Sequence, residues 1–298
     1  MSYFSVIVCY NPNIDNIALL IERLQANAVS CLLVDNGSKN VEKLKNLIFD
    51  NKFGHILISL MENHGIAHAQ NVGIEKAIQL GADSIVFFDQ DSEIDEKFIH
   101  NLTTDYNTLR EKGINVAAIG PRFVDKKLGF YAPGLIVKKT GLVSKKDLKN
   151  ISQPEAVGMI ISSGSLIPVH ALKDIGLMNQ DLFIDYVDTE WCLRALKKGY
   201  QIYISDKATM YHSVGESTIT LFGRTCPVHS AHRRYYRVRN LFLMMRMSHI
   251  RKLWIVSMII NNIIAQIILF ITQKKKFSYM YYFILSIIDG LKGKKGSL

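Results

Sequence analysis

The feature that most constrains this chain is the alternation of short β-rich runs with helical patterns across its first 90 residues. Runs 4–9, 30–34, 55–60 and 84–88 are apolar, and each ends at a polar or turn-forming residue. Between them, 14–27, 41–49 and 65–80 place apolar residues at helical spacing, as Ile17, Leu20, Ile21 and Leu24 do, with Asp15 as the expected cap of the first helix. This rhythm predicts an α/β layer whose central sheet is mainly parallel and flanked by helices. Ligands of such sheets bind beyond the carboxyl ends of the strands. Asn11, Asp35, Asn63 and Asp89 each follow a strand, so all four are predicted to line one rim.

The middle of the chain is less regular. Strands are expected over 116–119, 130–137, 159–166 and 200–204, the last of them ahead of His212, and helices over 171–175 and 189–198. No repeat or low-complexity linker interrupts the pattern. Residues 1–223 therefore read as one catalytic domain and 224–298 as a basic, apolar helical appendage.

Two acidic segments carry the chemistry. Asp89-Gln90-Asp91-Ser92 leaves a buried strand with carboxylates at i and i+2, hard oxygen ligands suited to Mg²⁺ or Mn²⁺. A plain solvated turn would look the same, and the position at the rim favours the metal. Asp185, Asp188 and Glu190 crowd the start of the 189–198 helix beside Tyr186 and Trp191. Such a cluster can cap a helix, and it can also supply a general base.

Tyr10-Asn11-Pro12, Asp35-Asn36-Gly37-Ser38, Asn63-x-Gly65-Ile66-Ala67-x-Ala69-x-Asn71-x-Gly73 and Asp89-Gln90-Asp91-Ser92 occur in the order of the family 2 inverting glycosyltransferases, which have the GT-A fold. Over residues 4 to about 240 the chain resembles the bacterial rhamnosyltransferases of that family, which use dTDP-L-rhamnose in O-antigen and surface-polysaccharide synthesis. The resemblance implies a donor site of Asn11, Asp35, Asn36, Asn63, Gly65, Asn71, Asp89, Gln90, Asp91 and Arg239. In it Asp35 meets the pyrimidine, Asn63 and Asn71 shape the nucleoside pocket, Asp89 faces the ribose, and Arg239 belongs to a basic segment closing over the diphosphate. The resemblance further implies Asp188 as catalytic base, Asp91 and His212 as metal ligands, and a reaction with inversion. Asp185, Glu190 and Trp191 are the expected acceptor contacts, with Glu190 as the alternative base. Ser162-Ser163-Gly164-Ser165, small and flexible, suits a place beneath the donor sugar and equally suits a plain turn.

Composition bears on partners. The formal charge is +10, yet residues 224–298 hold 14 Lys and Arg against one acid, Asp289, while the rest hold 22 basic and 25 acidic residues. An acidic body argues against a nucleic-acid partner and leaves the tail to an anionic surface. Residues 253–271 contain no charge across 19 positions, and 277–291 form a second apolar stretch, both with basic rims. Ser257, Asn261, Asn262 and Gln266 form a polar stripe on the first, which suits an interfacial or packed helix better than a lipid-surrounded span. The expected setting is cytoplasmic, peripherally attached to the inner face of the membrane, with a lipid-linked oligosaccharide acceptor; a homodimer is the alternative use of the apolar helices. Four scattered cysteines fit a reducing compartment. A UDP-hexose transferase and a sugar nucleotidyltransferase are the competing activities, and a non-catalytic membrane scaffold the competing class.

Overall fold

The computed structural model describes residues 2–49, 54–125, 130–212, 218–221 and 224–298. The first half runs β1 (Tyr3–Cys9), α1 (Ile14–Ala26), β2 (Ser30–Asp35), α2 (Val41–Phe49), β3 (Ile56–Ser59), α3 (Ile66–Gln79), β4 (Ser84–Asp89) and α4 (Phe98–Glu111). Strand order β3-β2-β1-β4 is parallel throughout. The register pairs Cys9 with Asp35, Asp35 with Ser59, and Val8 with Asp89, so the strand ends form one rim as the sequence predicts.

Alternating side chains sort to the two faces of this sheet. Val6, Leu32, Val34 and Phe87 pack with Ala67 and Ile74 of α3 on one face. Ile7, Leu33 and Phe88 meet Ile17 and Leu24 of α1, and Phe98 and Leu102 of α4, on the other. Each fully buried Phe or Leu contributes roughly 1.5–3 kcal/mol. Helix α1 is capped by Asn13, whose carboxamide oxygen accepts the Asp15 and Asn16 amides, and not by Asp15, which sits in the first turn. Gly73 lets α3 lie on the sheet, since a Cβ there would stand 2.5 Å from Val6 Cγ1.

The second half adds β5 (Val116–Asp125), β6 (Phe130–Tyr131), β7 (Gly134–Val137), β8 (Val143–Lys146), β9 (Glu155–Val157), β10 (Leu166–Pro168), α5 (Val169–Ile175), a 3₁₀ turn (Gln180–Leu182), α6 (Val187–Lys197) and β11 (Gln201–His212). The sheet continues β4-β10-β5-β11-β9, with β10 antiparallel to both neighbours and β11 parallel to β5. Two expected strands are revised. The 130–137 run is broken at Ala132-Pro133, because Pro offers no ladder donor. Residues 159–165 are mostly loop, and the strand begins only at Leu166. The last expected strand, 200–204, extends to His212 across an irregularity after Ile204.

After β12 (Thr218–Leu221) and β13 (Arg224–Pro227) come α7 (Ala231–Met244), α8 (Lys252–Thr272) and α9 (Lys276–Lys292). Helix α7 packs on both of the others. Their amphipathicity is inverted. Asn262 and Gln266 of α8, and Ser286 and Asp289 of α9, are buried. Leu253, Val256, Ile260, Ile263, Ile267 and Ile271 of α8 face outward, as do Phe277, Tyr281, Ile284, Ile288 and Leu291 of α9. The 21 residues of α8 are long and apolar enough to cross a bilayer.

Candidate active site

The rim loops are tied together by amides. Asn11, at φ 49°, gives its backbone N–H to Ser38 Oγ (2.8 Å), and its side-chain oxygen accepts the Lys39 amide (2.9 Å). Asn36 donates to Asn63 Oδ1 (3.1 Å) and accepts the His64 amide (2.9 Å), while Asn63 also accepts the Gly65 amide (2.9 Å). Asn11, Asn36 and Asn63 thus act as scaffold for the loops. Asp35 is 1% exposed, and its contacts to the Ser38 amide and Ser59 hydroxyl are long, at 3.3–3.4 Å. A carboxylate accepts up to about four hydrogen bonds, so capacity for a ligand N–H is left.

At the end of β4, Asp89 and Asp91 are exposed and Gln90 is held by Tyr10, which donates its amide to Oε1 (2.7 Å). The Asp89 amide donates to Ser163 Oγ (3.1 Å), which also bonds Ser92 Oγ (2.8 Å). The serine-rich turn therefore underlies this segment. Glu93 bridges Tyr211, bringing the end of β11 beside the two carboxylates; the side chain of His212 lies outside the described residues. Among the described residues no three His, Cys, Asp or Glu side chains form a metal cluster. Two exposed carboxylates at i and i+2 fit a cation that takes its other ligands from substrate phosphates, as Mg²⁺ and Mn²⁺ sites often do.

Helix α3 starts at Gly65, at φ 87°, where a Cβ would stand 2.6 Å from the Phe183 carbonyl oxygen. The next amide, Ile66, donates to that same oxygen (2.8 Å), joining the donor rim to the acidic loop. Gln70 is 4% exposed, its Oε1 has no partner, and it lines the cleft described below. Asn71, expected to shape the nucleoside pocket, is buried, and its carboxamide both donates to and accepts from the Met178 backbone at 2.9 Å.

The acidic loop is held in a strained form, with Phe183, Asp185 and Tyr186 at φ 61–64°. Asn240 Nδ2 reaches the carbonyls of Leu182 (2.9 Å), Ile184 (2.8 Å) and Asp185 (3.0 Å), and Phe183 stacks on Tyr236. Asp185 is paired with Arg233 (3.3 Å) and Arg237 (3.5 Å) of α7. Asp188 lies in the first turn of α6, its Oδ1 accepting the Thr189 amide at 2.7 Å. Burial pushes its carboxyl above the usual range, and nearby Asp185 adds to this, while amides of Thr189 and Ser162 oppose it. A carboxylate with a raised pKa takes up a proton more readily than an ordinary one.

Three expected contacts belong elsewhere. Trp191 is 1% exposed and donates its indole N–H to the Gly176 carbonyl (2.8 Å), so its ring is core and offers no stacking face. Glu190 is equally buried, bound by Arg194 (3.0 Å) and His249 (2.8 Å). Burial alone would raise its pKa, but hydrogen bonds from His249 and Arg194 outweigh that and lower it, which suits neither a base nor an acceptor contact. Arg239 is fully buried and spends its guanidinium on Asn240 Oδ1 and the carbonyls of Lys294, Leu182 and Gly296. The arginine that reaches the cleft is Arg233, six residues earlier.

Asp89, Asp185, Asp188, Gln70, Ser163 and Arg233 line one cleft of about 270 Å³. On its other side Asp188 also borders an apolar cavity of about 310 Å³ walled by Phe123, Pro133, Leu135, Met159 and Ile161. A single carboxylate thus stands between a polar chamber and an apolar one.

Known proteins are similar to this chain in sequence and in fold. The glycosyl transferase family 2 model matches residues 5–176. The dTDP-rhamnosyl transferase RfbF of Shigella flexneri is 38% identical over 293 residues, covering 98% of this chain and 96% of that protein. The mannosyltransferase PcManGT of Pyrobaculum calidifontis, in complex with GDP-Man and Mn²⁺, has a similar fold at 12% identity, covering 98% of this chain and 88% of that one with a TM-score of 0.59. S. aureus TarS 1-349 in complex with UDP-GlcNAc is similar at 15% identity, covering 99% and 82%, with a TM-score of 0.57. On its sequence, its mainly parallel sheet and its rim of carboxylates, this chain belongs to glycosyl transferase family 2.

Proposed function

We propose that the chain transfers L-rhamnose from dTDP-L-rhamnose to a lipid-linked saccharide in surface-polysaccharide or O-antigen synthesis. The observation that carries the donor reading is the near full-length similarity to a dTDP-rhamnosyl transferase. The shared cleft of Asp89, Gln70, Arg233 and Asp188 supports it.

In this reading Asp35 accepts N3–H of the pyrimidine, a role open to it because its present hydrogen bonds are long. Asp89 faces the ribose. Asp91, with His212, would hold Mg²⁺ or Mn²⁺, which neutralises the diphosphate leaving group when bound. Arg233 adds a guanidinium fork to that charge. Gln70 offers its unpaired carbonyl to a sugar hydroxyl. The acceptor enters over the apolar cavity on the far side of Asp188. Its hydroxyl oxygen attacks the anomeric carbon, the carbon–oxygen bond to the diphosphate breaks with its electron pair leaving on phosphate, and Asp188 takes the hydroxyl proton. A single displacement of this kind inverts the centre, so dTDP-β-L-rhamnose gives an α-L-rhamnoside.

The outward apolar faces of α8 and α9, rimmed by Arg251-Lys252, Lys274-Lys275-Lys276 and Lys292, support seating on the inner leaflet. The test is a donor panel with and without Mn²⁺ or Mg²⁺. The reading expects metal-dependent release of dTDP from dTDP-L-rhamnose well above release of UDP from UDP-hexoses, and the reverse preference would sink the rhamnosyl assignment.

A further inference from the structure

Away from the cleft, a cavity of about 380 Å³ opens where the β7–β8 turn, the end of α6 and the start of α8 meet. Lys138, Lys139, Lys197 and Arg251 line it, and no acid does. Among the described residues none of these four forms an ion pair, whereas Lys146, Lys198 and Lys294 each do. Cations gathered around one cavity with no counter-charge raise a local positive potential that favours an anion. The floor is of a different kind: Leu196 and Trp254 present hydrocarbon to the same space. A ligand that satisfies both is an anion with carbon attached.

The setting narrows it further. Helix α8 leaves this cavity at Lys252, and from Leu253 onward its outward face is apolar. The fit between turn and helix is close, because a Cβ at Gly141 would stand 2.5 Å from Arg251 Cβ. The cavity is therefore continuous with the outward apolar face of α8.

We propose that this cavity seats the phosphate headgroup of an anionic membrane lipid, with its chains along the outer face of α8. The inference rests on the membrane reading given above and adds a defined contact to it. The β7–β8 turn belongs to the catalytic half, and Leu135 of β7 also walls the apolar cavity beside Asp188. A headgroup bound there fixes how the active cleft is turned toward the bilayer.

The test compares two triple variants of the full chain by flotation with phosphatidylcholine vesicles, pure or mixed with phosphatidylglycerol. One is Lys138→Ala with Lys139→Ala and Lys197→Ala; the other removes equal charge at Lys274, Lys275 and Lys276. Each lysine near an anionic surface is worth about 1 kcal/mol, so diffuse attraction predicts similar losses in both. A headgroup seat predicts that the cavity variant loses at least about tenfold more partitioning to phosphatidylglycerol vesicles than the control. Equal losses would overturn the proposal and leave membrane seating intact. Capture of inorganic phosphate, lost in the cavity variant, together with no preference of the unmodified chain for phosphatidylglycerol vesicles over pure phosphatidylcholine, would assign the cavity to a soluble anion and overturn the lipid. If the unmodified chain floats with no vesicle, both this inference and the membrane reading fail, while donor turnover still judges the transferase reading separately.

Discussion

Replacing Asn240 tests how the loop that bears the base is held. Its carboxamide is fully buried, and its Nδ2 lies within 2.8–3.0 Å of three carbonyl oxygens at Leu182, Ile184 and Asp185. Two hydrogens serve three acceptors, and Oδ1 accepts from Arg239 Nε (2.8 Å), so Asn240→Ala loses the equivalent of three bonds and leaves buried groups unmet. At about 1–2 kcal/mol for each, the loss is about 3–6 kcal/mol. The loop has strain to release, because its three residues at positive φ each cost about 1 kcal/mol or more. Asn240→Asp keeps the shape but turns a donor toward the carbonyls into an acceptor. It should be no better than Ala at pH 8. The three carbonyls disfavour its charged form, while the Arg239 guanidinium, bonded at 2.8 Å to Oδ1 in the parent, favours it, so the two are weighed by comparing stability at two pH values. Urea midpoints at pH 5 and pH 8 read this directly, and dTDP titration reports whether the donor rim survives. An Asn240→Asp protein as stable as the parent at pH 8 would refute the clamp.

Three further outcomes follow from the same geometry. Asp188→Asn should reduce transfer by about 10²–10⁴-fold with dTDP binding kept. Because burial holds the Asp188 pKa high, its charge costs stability as pH rises, so the variant should melt higher at pH 8 and lose that gain toward acid pH; an unchanged melting curve at both pH values would count against the burial argument. Gly65→Ala should lower stability by about 1–3 kcal/mol and weaken donor binding, since φ 87° and the Phe183 carbonyl both oppose a Cβ; unimpaired dTDP titration would contradict the rim–loop contact. Arg233→Ala should slow turnover while costing at most about 1 kcal/mol, as a partly exposed pair, whereas Arg239→Ala should cost about 3 kcal/mol or more; kinetics beside urea unfolding would expose an exchange of these roles.

The first four strands and three helices were legible because each strand ends in a hard stop, such as Asn11-Pro12 or Asp35-Asn36-Gly37, and each helix has a clean apolar stripe. The α4 pattern of Phe98, Ile99, Leu102, Tyr106 and Leu109 is equally periodic, but nothing in the sequence announces its start, since Lys97 gives no side-chain cap. Strand β10 has three residues, ends in Pro168 and exists through its antiparallel neighbours, which no local pattern reports. Trp191 could have been placed in the core, since Val187, Trp191 and Ala195 repeat at i+4 on the buried face of α6. Arg239 could not. What occupies it is the backbone of Lys294 and Gly296, more than fifty residues away. The unpaired Gln70 was likewise invisible, because only the folded cleft shows that its oxygen has nothing to bond.

Helix α7 touches both ends of the molecule's work. It sends Arg233 to the cleft and Asn240 to the acidic loop, while Arg234 binds Asn262 of α8 and Tyr235 binds Asp289 of α9. Whatever couples the outer helices to the cleft through this one element must act with equal strength in both directions, because binding free energies around a cycle close. If an apolar surface bound to α8 and α9 tightens the hold on dTDP by some factor, dTDP must tighten the hold on that surface by the same factor.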